Sequence, residues 1–310
     1  MDAIGLDVGK TRLDVFDPKQ NAHRTFQPDE RGLDALAAWL GRRPLVVMEA
    51  SGGLERRLQD RLARRVLEVA VVNAGRVREF AKAAGKLAKT DRLDAEQIAR
   101  FALWAKPAPT PPPSTARRKL FDLLAYRRQL LAELTARRQQ AEQFTDPDLR
   151  RRAGERLDAL VAERREIETL LRRSIAADAE LEGAFRLLTS VPRVGLVLAA
   201  TVLAQLPELG TLDRRQIASL VGLAPMANDS GLQHGRRRIR GGRQEVRTAL
   251  YMPAIGQFAL DNPFGAAARH LKAQGKPAKV VIVAVMRRML VVLNAVLKTS
   301  VPWQKPPTTA

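Results

Sequence analysis

Read for the spacing of apolar and polar positions, the first hundred residues divide into short extended runs and longer helical ones. AIGLDV (3–8) and RLDVF (12–16) are apolar-rich runs joined by a Gly-Lys turn, and AHRTFQ (22–27) alternates every second residue. That period of two belongs to strands. DERGLDALAAWLGRR (29–43) spaces its leucines as a helix does, and PLVVMEA (44–50) is a continuous apolar run of strand length. ERRLQDRLARR then reads as a helix, VLEVAVVN (66–73) as a second buried strand, and GRVREFAKAA and residues 91–105 as helices.

The predicted order is β-β-β-α-β-α-β-α, three antiparallel strands leading into parallel ones. That is the α/β order of the ribonuclease-H-like fold, and it sets a first domain at 1–106. PAPTPPPS (107–114) is too rich in proline for a helix or a central strand and is expected to be an extended linker. Residues 115–182 carry Leu, Ala, Arg and Glu at helical spacing with a break at TDPD (145–148), which predicts an antiparallel coiled-coil hairpin. A plain helical spacer fits the same pattern. Residues 183–303 read as a mainly α-helical domain with one Gly- and Arg-rich interruption. Within it, TSVPRVGLVLAATVLAQL (189–206) resembles a helix-hairpin-helix, whose turn offers backbone N–H groups to a phosphate, although a packing turn accounts for it equally well.

Composition narrows the chemistry. A chain of 310 residues with 45% hydrophobic content has room for two or three domains with real cores. No run of about 18 uncharged apolar residues occurs, so no membrane partner is expected. The 12 lysines and 41 arginines give a formal net charge of +20, which points to a polyanionic partner. There is no cysteine, and the three histidines stand apart at positions 23, 234 and 270. Thiol catalysis is excluded, and carboxylates, hydroxyls and arginines remain to carry any reaction.

IGLDVGKT (4–11) approaches a phosphate-binding loop, but Gly5 and Gly9 enclose three residues where that motif needs four. Asp7 is more informative. A carboxylate within an apolar strand is costly unless it is paired or binds a cation. Glu49 poses the same problem at the end of LVVME. In the predicted fold the first and fourth strands are neighbours and the last helix crosses them, bringing Asp91 and Asp94 to the same place. Asp91 and Asp94 also suit a helix cap. Four converging carboxylates, however, are relieved by divalent cations, and oxygen-only ligands select Mg²⁺ or Mn²⁺. Paired ions of this kind clamp the attacking and leaving oxygens of a phosphoryl transfer.

The second notable stretch is GLAPMANDSGLQHGRRRIRGGRQEVRTALYM (222–252). Ser230 is expected in a polar turn, with glycines at 231, 235, 241 and 242. Arg236, Arg237, Arg238, Arg240, Arg243 and Arg247 follow as candidate nucleic-acid contacts. An ordinary surface serine accounts for the turn. The arginine-lined alternative is a serine that attacks a phosphodiester and is held as a phosphoserine ester.

Taken together, IGLDVGK, VMEAS, KTDRLDAEQIA, SGLQHGRRRIRGGRQEVRTALYM, NPF and GKPAKVVIVAVMRRMLVVLNAVLK resemble the DEDD transposases of the insertion-sequence-110 type, which include the pilin-gene invertases. The likeness spans nearly the whole chain apart from residues 115–182 and the tail after Trp303. It implies a RuvC-like nuclease domain whose acid tetrad falls on Asp7, Glu49, Asp91 and Asp94, with Mg²⁺ or Mn²⁺ as cofactor, and a catalytic serine at Ser230. It further implies donor and target DNA as substrates and a structured noncoding bridge RNA as guide. Homo-oligomers with composite active sites, working at the nucleoid in the bacterial cytoplasm, complete the expectation. Two departures, Pro253 within YMPAI and AAARHL (266–271), bear on local packing rather than on the mapped residues. A RuvC-like resolvase or nuclease using water is the alternative.

Overall fold

The computed structural model describes residues 2–41, 44–50, 53–65, 67–85, 91–226, 229–230, 233–235 and 237–305, with backbone alone for 57, 91–93, 229–230 and 233–234. The chain forms two compact units, Met1–Pro113 and Ser114–Ala310.

The first unit is a mixed α/β layer. Strands β1 (Ala3–Val8), β2 (Leu13–Asp17), β3 (Ala22–Phe26), β4 (Leu45–Glu49) and β5 (Val69–Val72) form one sheet in the order β3-β2-β1-β4-β5. The first three strands pair antiparallel, whereas β4 lies parallel to β1 and β5 parallel to β4. Helices α1 (Glu30–Leu40), α2 (Leu54–Ala63), α3 (Ala74–Ala83) and α4 (Asp91–Ala105) flank the sheet. Alternation decides which side chains meet which helices. Ile4, Leu6, Val46 and Met48 share a core with Leu33, Leu36, Leu58 and Leu62 of α1 and α2. The intervening residues Ala3, Leu45 and Val47 share another with Ile98, Phe101 and Ala102 of α4. Both faces of β1 and β4 are therefore covered, which is why these strands read as continuous apolar runs.

The proline-rich stretch is more than a linker. The Thr110 N–H donates to the Val69 carbonyl at 2.7 Å, and the Thr110 hydroxyl accepts from the Val71 N–H at 3.1 Å. The Gln59 amide holds the Thr110 carbonyl at 2.5 Å. Composition predicted the extended backbone, but these tertiary bonds fasten it along the β5 edge as a strap.

In the second unit α5 (Thr115–Ala141) and α6 (Pro147–Ala176) form an antiparallel helical hairpin. Its direction follows from the bonds Arg127–Glu168 at 2.8 Å and Arg156–Glu133 at 3.2 Å, whose residue numbers rise on one helix as they fall on the other. Leu130, Leu134 and Leu160 pack along the shaft. At the base, Leu120, Leu124, Leu171 and Ile175 join the core of the following helices, so the hairpin belongs to the same unit as they do. Those helices are α7 (Ala179–Thr189), α8 (Leu196–Gln205), α9 (Arg214–Val221), α10 (Gln244–Gly256), α11 (Pro263–Ala273) and α12 (Ala278–Thr299), with a two-stranded ribbon, β6 (Asp229–Ser230) and β7 (Gln233–His234), between α9 and α10. The helix α12 is long and apolar enough to cross a membrane by length and composition. Here Val281, Val285, Met289, Leu290 and Leu293 instead place it at the centre of the helical core. Pro253 lies inside α10, which continues through it to Gly256. It sits one turn from the helix end, where the missing N–H removes a single late bond.

Candidate active site

The acids of the first unit are positioned by β1, β4 and α4. In the parallel pair Leu6 lies opposite Met48, so the next step of the register brings Asp7 level with Glu49. Asp7 follows Ala3 and Gly5 on the α4 side of the sheet, and Glu49 follows Leu45 and Val47 on that same side. Gly5 lets α4 approach, since a Cβ there would come under 3.0 Å from both the Ala95 carbonyl oxygen and the Ala99 nitrogen. With Ala102 near Ala3 and Ala95 against Gly5, α4 runs opposite to β1. Its first turn, which holds Asp91 and Asp94, is thus directed toward the end of the sheet that carries Asp7 and Glu49. Asp91 is the first residue of α4. The negative charges of Asp91 and Asp94 in this first turn also suit the helix dipole.

A further acid joins this face. Asp14 on β2 lies directly opposite Asp7, receives a hydrogen bond from the Thr25 hydroxyl at 2.8 Å and pairs with Arg12 at 2.9 Å. Sequence reasoning missed it because the β1–β2 register is set by turn and packing. The available signal was the polar position between Leu13 and Val15. Among the described residues no three His, Cys, Asp or Glu side chains gather closely enough to hold one ion. The Asp91 side chain lies outside the described set. The donors are nonetheless all hard oxygens, and Mg²⁺ commonly keeps several waters while using one or two carboxylates. This donor set fits that ion.

In the second unit Ser230 is not in an open turn. Its backbone belongs to β6, where Ser230 pairs with Gln233 and Asp229 with His234 across the ribbon. The bridge between Met226 and Arg238 continues the pairing toward the base. Ser230 is therefore the last residue of β6. The base of the loop is gripped by backbone contacts. Gly222 and Gly242 have φ of 77° and 66°, and a Cβ on Gly242 would collide with the Val221 and Gly222 backbones.

The arginines divide into two sets. Arg243 makes paired bonds to Glu208 at 2.5 and 2.6 Å and also donates to the Gln205 carbonyl. Arg247 donates to the Val221 carbonyl at 2.7 Å and to that of Gly241, and burial holds its guanidinium below the usual arginine range. Both tie α8 and α9 to the loop, and these bonds account for them without a nucleic-acid partner. Arg237, Arg238 and Arg240 are exposed. Arg236 lies outside the described residues.

Comparison with known proteins gives the two units one identity. The profile of the DEDD transposases of the IS110 type matches residues 4–146, and that of the transposase IS116/IS110/IS902 family matches residues 185–267. The chain is 28% identical to the pilin gene-inverting proteins of Moraxella lacunata and Moraxella bovis, over 97% of its own length and 97% of theirs. It is also 31% identical to an insertion element IS110 protein of Streptomyces coelicolor, over 36% of this chain and 28% of that one. The first match contains the strands and helix that carry the acids, and the second contains the ribbon that carries Ser230. The chain belongs to the IS110-type transposases and is a DNA recombinase/transposase enzyme.

Proposed function

We propose that this enzyme excises and inserts a mobile element by serine chemistry, with the first unit acting as a ribonuclease-H-like (RuvC-like) metal domain. The observation that supports this most is the placement of Asp7, Glu49 and the first turn of α4 toward one end of a sheet ordered β3-β2-β1-β4-β5. Asp7, Glu49, Asp91 and Asp94 would hold Mg²⁺ or Mn²⁺. Such an ion, when bound, supplies charge neutralisation for phosphoryl transfer.

The chain's own part in the reaction is nucleophile and scaffold. The Ser230 hydroxyl attacks a DNA phosphorus. An Oγ–P bond forms, one P–O bond to a deoxyribose oxygen breaks, and that oxygen departs as a hydroxyl with a proton. The reverse attack by a hydroxyl of another strand releases the serine, so phosphoester bonds are conserved and no ATP is needed. Exposed Arg237, Arg238 and Arg240 offset phosphate charge near the ribbon. Acids and serine lie on different units, and we assign them to composite sites formed between protomers. A structured guide RNA paired with donor and target DNA completes the proposal, and the +20 charge suits polyanionic partners of either kind.

The deciding experiment looks for covalent protein–DNA adduct on a denaturing gel, with Mg²⁺, labelled DNA and RNA transcribed from the DNA that flanks the gene. Adduct with the native chain and none with Ser230→Ala is the expected result. Cleavage without adduct in both would leave a nuclease that uses water.

A further inference from the structure

The α3–α4 side of the first unit carries an aromatic group that neither the acids nor the serine explains. Trp104 is 67% exposed at the end of α4, although the chain has only 3 tryptophans and 5% aromatic residues. Its ring lies 5.6 Å from Phe80 of α3 at a tilt of 31°, and 6.0 Å from Phe101. Phe101 is buried and Phe80 half-buried, so two rings fix Trp104 from below while its outer face meets solvent. Two exposed cations border this cluster, one in space and one in sequence. The exposed Arg76 guanidinium lies 5.5 Å over the Phe101 ring, and Lys106 follows two residues after Trp104. Arg100, one turn before Trp104, already holds Glu96 at 2.8 Å.

An exposed tryptophan packed on two rings, in a cluster bordered by cations, has a chemistry that few ligands match. Water gains nothing from its face, and a carboxylate would find the cations but not the ring. An unpaired nucleobase offers a flat π surface, with a phosphate one bond set away for Arg76 or Lys106. Bases stacked within a duplex cannot present that surface.

We propose that Phe80 and Trp104 form a stacking platform for an unpaired base of single-stranded nucleic acid, with Arg76 and Lys106 contacting the adjoining phosphate. This extends the reading of the chain as an enzyme acting on DNA, but it depends on neither the acid cluster nor Ser230. It can therefore be tested without cleavage.

The test is fluorescence anisotropy of the full chain, without divalent ions, on labelled oligo-dU and oligo-rU of about 12 nucleotides and on a duplex of the same length. Trp104→Ala is expected to weaken single-strand binding about tenfold, as loss of one stacked base does, and to leave duplex binding unchanged. Trp104→Phe should restore most of the affinity, because the ring is kept. Whichever oligonucleotide shows the larger loss identifies the strand as DNA or RNA. Equal loss on strand and duplex, or no loss on either strand, overturns the proposal. So does self-association that Trp104→Ala abolishes while single-strand affinity is unchanged, since the face would then be a contact between copies of this chain. Circular dichroism of each variant confirms the fold. Should Trp104→Ala unfold, Trp104→Leu removes the ring while keeping an apolar side chain of some bulk, and the same losses are expected of it.

Discussion

Gly5 of β1 and Ala95 of α4 approach so closely that a single methyl group at position 5 would fall under 3.0 Å from the Ala95 carbonyl oxygen. Backbone meets backbone here, two residues from Asp7 and one from Asp94. Gly5→Ala must therefore push α4 off the sheet at the point where it delivers Asp91 and Asp94. The expected loss is about 1–3 kcal/mol of unfolding free energy, as for other overpacked sites. Urea unfolding would measure it, and a variant of unchanged midpoint and unchanged strand cleavage would refute the close packing.

The acids should separate stability from catalysis. Asp7 faces Asp14 across the β1–β2 ladder, and like charges in that position repel. Without divalent ions Asp7→Asn is therefore expected to raise the melting temperature slightly, while strand cleavage disappears. Asp94→Asn should likewise abolish cleavage with the fold intact. Full cleavage by the double variant Asp7→Asn, Asp94→Asn would rule out a role for this cluster.

The arginines should part in opposite directions. Arg243→Ala leaves the Glu208 carboxylate and the Gln205 carbonyl without their donor, and Arg247→Ala does the same to the Val221 and Gly241 carbonyls. Each should cost about 1–3 kcal/mol of stability. The exposed pair Arg237→Ala, Arg238→Ala should leave the melting temperature unchanged but weaken DNA binding. Its log–log salt dependence should become shallower by about 1 for each phosphate no longer neutralised. Thermal melts and salt titrations of the same preparations make the comparison, and an equal effect of all four on stability would defeat it.

Acid should loosen the α6–α7 junction. Hydrogen bonds from Arg172, at 2.5 and 2.9 Å, are the main cause that lowers the Glu182 carboxyl below the usual glutamate range, with a further contribution from Arg186 at 2.9 Å. A carboxyl lowered on folding contributes stability that is complete above its unfolded value, about 4.3, and lost as pH falls through the folded value. Glu182→Gln should thus flatten the decline in melting temperature below about pH 4.3 and lower it at neutral pH. An unchanged acid limb would show that Glu182 does not contribute to it.

Much of this was legible because local period and burial agree. Continuous apolar runs in Ala3–Val8 and Leu45–Glu49, each broken by one acid, marked both the strands and the anomaly. Helical spacing from Asp91 onward marked α4. Tertiary registration was not legible. Nothing local puts Asp14 opposite Asp7, ties Thr110 to Val69, or distinguishes Arg243 and Arg247 from Arg237 and Arg238, because identical side chains become structural or exposed according to what folds against them. Ser230 read as turn because a two-residue strand is too short to show a period.

The strap along β5 also governs what can join the sheet. An open strand edge is a template on which further chains polymerise, and proteins blunt such edges with proline. Along 109–113 the four prolines have no N–H, and the one residue that does, Thr110, donates it to Val69. A strand arriving from outside would find no donor on this segment to continue the ladder. The residues that lead out of the first unit thus also act as its chain terminator, and loosening them by Thr110→Pro should raise edge-to-edge aggregation, read by light scattering, over that of the native chain.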